Sequence, residues 1–328
     1  MSVSPLYTTE YGTAYVGDSL DLLDTLAEAS INLVITSPPF ALQREKSYGN
    51  VNQEEYIEWL SAFCRKVYRV LTADGSLVLD LGGAYQSKRP VRSLHNYRVL
   101  LKLCDELNFH LAEEFFWYNP AKLPSPIEWV NKRKIRAKDA VNTIWWLSKS
   151  DMPKADVRRV LVPYSERMKK LQADPDKFYK PKTRPSGHDI GNRFADDNGG
   201  AIPSNLLQIA NTDSNSRYIQ LCKIADTPPH PARFPEKLPA FFINFLTEPG
   251  DMVLDIFAGS NTTGAMAEAA QRRWLAFESN RVYLAASAFR FLDDIENDRA
   301  VQIFTELLTT NTPICLPRTR QLKLNMSE

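Results

Sequence analysis

Residues 31–40, INLVITSPPF, decide the fold. The first six are apolar or β-branched with no polar alternation, which suits a central parallel strand buried on both faces. The strand must stop at Pro38-Pro39, because neither proline can donate to a sheet ladder. A second apolar strand, residues 252–257 (MVLDIF), runs into the small-residue turn Ala258-Gly259-Ser260-Asn261-Thr262-Thr263-Gly264 and then a helix over 265–270. Around these two strands the same alternation repeats. Residues 13–16 form a short strand ending at Gly17-Asp18, and 20–29 a helix. Residues 54–71 carry Tyr56, Leu60, Phe63, Val67 and Val70 at helical spacing. After the Asp74-Gly75 turn, 76–81 is another apolar strand. Residues 237–246 are helical, 274–277 a strand ending at Glu278, and 282–291 a helix. Strand–helix–strand alternation of this kind builds a mostly parallel sheet with helices on both faces.

Residues 151–229 break the pattern. Prolines fall at 153, 163, 175, 181, 185, 203, 228 and 229, and glycines at 187, 191, 199 and 200. The organisation expected is one half-domain over 1–150, a loop-rich insert over 151–229, and a second half-domain over 230–328.

Composition narrows the function classes. Lys plus Arg total 40 and Asp plus Glu 39, for a net charge of +1. That average conceals a patch: residues 121–185 hold 17 Lys or Arg against 7 Asp or Glu. The densest run is Lys132-Arg133-Lys134-Ile135-Arg136-Ala137-Lys138. The four cysteines, Cys64, Cys104, Cys222 and Cys315, form no CxxC pair, so a zinc ribbon or disulfide framework is not expected. The N-terminal ten residues are polar and lack a signal-peptide core, and no apolar run reaches the length of a membrane span. A cytoplasmic protein without a membrane partner is the expectation.

Two motifs carry chemistry. Ser37-Pro38-Pro39-Phe40 presents a hydroxyl, a backbone carbonyl and an aromatic ring at the carboxyl end of a buried strand, where ligands bind in open α/β sheets. An amine held by the Ser37 oxygen and the Pro38 carbonyl has both hydrogens engaged; the alternative is a proline-stiffened turn. The turn from Asp255 to Gly264 allows close backbone approach and offers helix N–H groups to a ligand. Glu278, at the end of the next strand, is placed to accept from ribose hydroxyls. The turn lacks the G-x-G-x-x-G of a dinucleotide fold, which weakens an oxidoreductase reading.

Together the motifs resemble the S-adenosylmethionine-dependent DNA amino-methyltransferases of restriction–modification systems. Their catalytic motif is [D/N/S]-P-P-[Y/F] and their cofactor motif D-x-F-x-G-S-x-T-T. Here the catalytic motif comes first by about 220 residues, the permuted order of the beta class. Residues 36–50 (TSPPFALQREKSYGN) and 182–191 (KTRPSGHDIG) resemble the PvuII-type cytosine-N4 enzymes, and the likeness runs from about Tyr11 to Leu292. It implies a circularly permuted, Rossmann-like methyltransferase fold with a loop-rich recognition lobe over 151–229.

The resemblance assigns Ser37, Pro38, Pro39 and Phe40 to catalysis. It assigns Asp18, Phe234, Asp255, Phe257, Gly259, Ser260, Thr262, Thr263 and Glu278 to S-adenosylmethionine. Asp18 equally suits a helix cap, and Phe234 a core position. Asp80 ends the strand 76–81; if that strand neighbours 31–36, Asp80 meets Ser37 and accepts charge as the amine loses a proton. Serine in the first motif position points to cytosine N4, with adenine N6 the alternative and a catalytically silent nucleic-acid-binding protein a further one. No cysteine follows a proline, so the Pro-Cys nucleophile of cytosine-C5 chemistry is missing. A target amine inside a duplex must be flipped out, and the polar residues 43–52 suit a loop closing over the DNA. Lys134, Arg136, Lys182, Arg184 and His188 are the expected DNA contacts, with phosphate binding from the basic run and base reading from the insert. The partner implied is duplex DNA with a short palindromic site, CAGCTG by resemblance, shared with a cognate endonuclease. A monomer or weak dimer suffices, and no metal is expected.

Overall fold

The computed structural model describes residues 4–39, 55–178, 196–212 and 215–317. The elements run β1 (Tyr7–Thr8), β2 (Gly12–Val16), α1 (Ser19–Asp24), β3 (Ile31–Thr36), α2 (Tyr56–Val70), β4 (Leu71–Leu81), α3 (His95–Asp105), β5 (His110–Tyr118) and β6 (Val141–Ser148). They continue with α4 (Glu166–Ala173), α5 (Pro175–Phe178), β7 (Leu206–Gln208), α6 (Arg217–Ile224) and α7 (Lys237–Leu246). The last are β8 (Met252–Asp255), α8 (Thr262–Ala269), β9 (Arg273–Glu278), α9 (Arg281–Ser287), α10 (Asn297–Thr309) and β10 (Ile314–Cys315).

The ten strands of the described residues join one sheet, in the order β10-β1-β2-β9-β8-β3-β4-β6-β5-β7. The five strands β2-β9-β8-β3-β4 are mutually parallel. Beyond β4 the direction reverses at β6 and again at β5. The run INLVIT forms β3 at the centre, buried along almost its whole length, as an uninterrupted apolar strand should be. Residues 71–81 form one strand with a register shift where Asp74-Gly75 sits.

The helices cover both faces. Tyr56, Leu60, Phe63, Val67 and Val70 of α2 are buried in one cluster with Val34, Leu77, Leu79, Trp145 and Leu254 of the sheet. On the other face α7 sets Phe242 against Phe115 (centroids 5.1 Å apart) and Phe245 against Trp146 (5.2 Å). Neighbouring Trp145 and Trp146 thus serve opposite faces, as the two-residue period of a strand requires.

Two compact units result, one of residues 1–154 and 205–328, the other Ala155–Ser204. The second is narrower than the insert expected at 151–229. Residues 206–208 extend the main sheet as β7, and Tyr218, Ile219, Leu221 and Cys222 of α6 are buried. A three-residue strand is too short to show a period, and the prolines around it masked it. Within the smaller unit, α4 is capped by Ser165, whose hydroxyl accepts from Met168 N, and Val162 and Ala201 exchange backbone hydrogen bonds at 2.9 Å. Among the described residues no helix is long and apolar enough to cross a membrane.

Candidate active site

From β3 the chain leaves through α2 to β4 on one side; from β8 it leaves through α8 to β9 on the other. Adjacent parallel strands whose connections diverge leave a crevice at their carboxyl ends. There the Thr36 hydroxyl donates to Asp255 Oδ1 at 2.8 Å, joining the two strand ends. A cavity of about 510 Å³ opens at this point. Ser37, Pro38, Pro39, Asp80, Asp18, Phe234, Asp255, Phe257, Ser260, Thr262 and Glu278 all line it.

The β3–β4 register places the Ser37 side of the cavity. Thr36 pairs with Leu79, so the next residues, Ser37 and Asp80, adjoin. Ser37 Oγ donates to Asp80 Oδ2 at 3.2 Å, and Asn142 Nδ2, from β6, donates to Asp80 Oδ1 at 3.1 Å. Asp80 is only 4% exposed. Burial pushes its carboxyl up to about 6, against the pull of Asn142, Ser37 and the Lys122 charge.

On the opposite side, Asp255 is held by three donors: Thr36 Oγ1, Thr263 Oγ1 (2.7 Å) and Phe257 N (3.0 Å). Burial lifts its carboxyl to about 6 as well. Glu278 accepts from Gly259 N at 2.9 Å and Asn280 N at 2.8 Å, and burial raises it too. Phe257 stacks on Trp59 of α2 with ring centroids 5.6 Å apart.

Gly259 and Thr263 do not line the cavity. Gly259 has φ +52°, and a Cβ there would stand 2.9 Å from the His230 ring. The close approach this glycine permits is therefore to His230. Thr263 turns its hydroxyl onto Asp255 and is 1% exposed. Both shape the loop that carries Ser260 and Thr262. Asp18 serves as cap and as lining together: its Oδ1 accepts from Leu20 N at 2.7 Å.

Reading the sequence alone missed several lining residues: Trp59, Trp117, Asn142 and Asn211. It also missed Arg290, 5% exposed, whose guanidinium donates to Ser260 O (2.8 Å) and Ser260 Oγ (3.2 Å), pairs with Glu236 (3.3 Å) and lies 4.8 Å from the Tyr218 ring centre. Tyr218 in turn accepts from His230 N at 2.9 Å. No motif flags these residues, because their significance depends on neighbours remote in sequence.

Of the expected DNA contacts, Lys134 is exposed with φ +55°, and Arg136 donates to the carbonyls of Ile135 and Pro90 at 2.7 Å. Neither lines the cavity. Lys182, Arg184 and His188, together with Phe40 and residues 43–52, lie outside the described residues. Among the described residues no group of His, Cys, Asp and Glu is placed to hold a metal ion, and Cys64, Cys104, Cys222 and Cys315 are free thiols.

A model of the N6/N4 DNA methylase family matches residues 31–289, a span that includes both the Ser37 and the Asp255 strand ends. The chain belongs to the DNA methylase family. This methylase is 59% identical over 305 residues to the type II methyltransferase M.PvuII of Proteus hauseri, covering 93% of this chain and 91% of that one. Its structure is similar to that of PvuII DNA methyltransferase (cytosine-N4-specific), with a TM-score of 0.78 and 48% identity, over 95% of this chain and 98% of that one. A putative DNA modification methylase from Thermus thermophilus, in complex with S-adenosyl-L-methionine, shares the fold: TM-score 0.51 and 19% identity, over 94% of this chain and all of that one.

Proposed function

We propose that this methylase transfers a methyl group from S-adenosylmethionine to the exocyclic N4 amine of a cytosine flipped out of duplex DNA, as the modification half of a restriction–modification pair. The observation that carries the reading is the Ser37–Asp80–Asn142 array facing Glu278 and Phe257 across one cavity. The high identity to a PvuII methyltransferase supports cytosine N4 as the acceptor.

The cavity fits the cofactor by size and donor set. Ligand pockets span about 300–1,000 Å³. The Glu278 carboxylate keeps an acceptor site for a ribose hydroxyl beside those taken by Gly259 N, Asn280 N and Ser279 Oγ, Asp18 and Ser260 bring polar atoms to the wall, and Phe257, Phe234 and Phe277 supply apolar surface. When bound, the cofactor supplies an electrophilic methyl group on a sulfonium. The chain's residues do the rest.

Because Ser37 donates its own proton to Asp80, its oxygen lone pairs are free to accept one N–H of the target amine. The Pro38 carbonyl accepts the other. With both hydrogens engaged, the nitrogen lone pair points away from the ring, ready for an in-line attack. As the C–N bond forms, the bond from the methyl carbon to the sulfonium sulfur would break and leave a neutral thioether; the amine's surplus proton passes through Ser37 to Asp80, whose carboxyl burial raises. Positioning and electrostatics supply most of the rate.

The target proposed is a short palindromic duplex site, CAGCTG, shared with a cognate endonuclease and methylated by a monomer or weak dimer. The test is incubation of duplex DNA with the chain and tritium-methyl cofactor, followed by an endonuclease that cuts CAGCTG. Label incorporated into DNA that resists cutting is expected; unlabelled, fully cleaved DNA would contradict the reading.

Two further results are expected. Protonating Asp80 removes its acceptor role, so kcat should fall about tenfold per pH unit below about 6 and level off above it. The same raised carboxyl binds its proton more tightly folded than unfolded. Its contribution to stability is therefore present below the ordinary value of 3.8 and is lost as pH rises to about 6. Asp80→Asn should accordingly raise Tm at pH 7 while lowering kcat, as paired activity and melting measurements will show. Separately, Arg290→Met removes the guanidinium that holds Ser260 O and Ser260 Oγ and lets the cofactor loop relax. Cofactor affinity, read by calorimetry, should drop about tenfold, the worth of one buried charged hydrogen bond, with kcat at saturation little changed.

A further inference from the structure

The basic run between β5 and β6 commits most of its described cations to bonds within the protein, two to a carboxylate and two to backbone carbonyls. Arg133 Nε donates to Glu128 at 3.0 Å and Lys132 pairs with Glu128 at 3.2 Å. Arg136 is bonded to two carbonyls, as described above. The Lys138 ammonium donates to Pro120 O (3.1 Å) and Lys122 O (3.2 Å). Asp139 N bonds Ser125 O at 2.9 Å, while the Asp139 carboxylate takes Arg92 through two 2.8 Å bonds. Asn131 reaches Pro124 O. The bonds from Lys138, Asp139 N and Asn131 converge on one turn, residues 120–125.

That turn stands at the rim of the cavity. It follows directly on β5, whose Trp117 lines the cavity. Asn119 Oδ1 accepts from the backbone N–H of Asn211, another lining residue, at 3.3 Å. The Lys122 charge reaches Asp80. Next to Lys122 is Leu123, 80% exposed, with Ile127 at 61% and Ile135 at 48% on the same segment. An isolated exposed leucine calls for no explanation. Here, however, a hydrogen-bonded frame holds the aliphatic side chain out in water beside the cavity.

We propose that Leu123 enters the duplex when the target cytosine leaves it, occupying the gap between the flanking bases and opposing the base's return. The inference rests on the flipped-cytosine reading above. Apolar side chains wedged between base steps are a general way for proteins to stabilise unstacked DNA. The braced turn explains why the insertion needs little ordering of the protein: the loop is already fixed before DNA arrives. In this view Lys138 holds the wedge turn through the carbonyls of Pro120 and Lys122.

The test compares Leu123→Ala and a control, Met152→Ala, as full-length chains in single-turnover methyl transfer. Met152 is 81% exposed but lies outside the turn. Two duplexes are used, one with the target cytosine paired to guanine and one with it opposite an abasic position, where flipping costs less. Leu123→Ala should slow transfer on the paired duplex by on the order of tenfold to a hundredfold, the worth of burying one leucine side chain. On the abasic duplex it should match the unsubstituted chain, and Met152→Ala should match on both. Full activity of Leu123→Ala on the paired duplex, or equal loss on both duplexes, would overturn the proposal while leaving the proposed function standing. No transfer by the unsubstituted chain on either duplex would overturn both.

Discussion

Ser37→Ala should slow methyl transfer by about a hundredfold to a thousandfold, the range seen when one preorganised hydrogen-bonding group is removed from a reacting centre. Cofactor affinity should hardly change. The substitution deletes only the hydroxyl that links Asp80 to the incoming amine, and the strand that carries Ser37 is held independently by its pairing with β4 and β8. Single-turnover rates together with equilibrium cofactor binding make the distinction. A parallel loss in both would mean that Ser37 props the cavity wall and does not touch the amine. Because the Ser37 hydroxyl also helps hold the Asp80 carboxyl down, the fall in activity on acidification should begin at a higher pH in Ser37→Ala than in the unsubstituted chain.

Glu278→Ala should do the reverse. It removes an acceptor for the ribose hydroxyls and also leaves Gly259 N and Asn280 N without their carboxylate. Hydrogen bonds to a charged group contribute about 1.5–3 kcal/mol each, so a loss of on the order of a hundredfold in cofactor affinity is expected. DNA affinity should stay near that of the unsubstituted chain. Glu278→Gln separates the two contributions: it retains a carbonyl acceptor for one backbone N–H, and should bind the cofactor better than alanine and worse than glutamate. If Glu278→Ala weakens DNA and cofactor equally, the carboxylate is bracing the sheet edge and not the ligand.

The central fold was legible in the sequence because parallel, doubly buried strands announce themselves. INLVIT and MVLDIF are apolar runs ended by abrupt turns, and their carboxyl ends are where ligands must go. The β5–β6 pair was not legible. The first five residues of β5, His110 to Glu114, are exposed or half-buried and include two glutamates, so the strand lacks an apolar signature until Phe115. Helix α3 was obscured in the same way by Tyr97 and Leu101, both more than half exposed.

What was legible at the site follows the same division. Asp80 could be placed beside Ser37 from a single assumption about neighbouring strands, since register then does the rest. Asn142, Trp117 and Asn211 reach the cavity from elements whose positions the sequence did not reveal. The turn after β8 was recognisable as a motif, but a motif does not say which of its residues face outward. Gly259 and Thr263 turn inward, to His230 and Asp255, and leave the wall to Ser260 and Thr262. The opening between strand ends is a property of topology, whereas the wall of a cavity is a property of packing, and only the first is written in local patterns.

The most direct measurement is the chemical identity of the product. DNA incubated with this methylase and S-adenosylmethionine is digested to nucleosides and resolved by mass spectrometry. With the amine held as proposed by the Ser37 oxygen and the Pro38 carbonyl, in a chain so similar to a cytosine-N4-specific enzyme, the product should be N4-methylcytosine. N6-methyladenine in its place, or unmodified DNA, would contradict it.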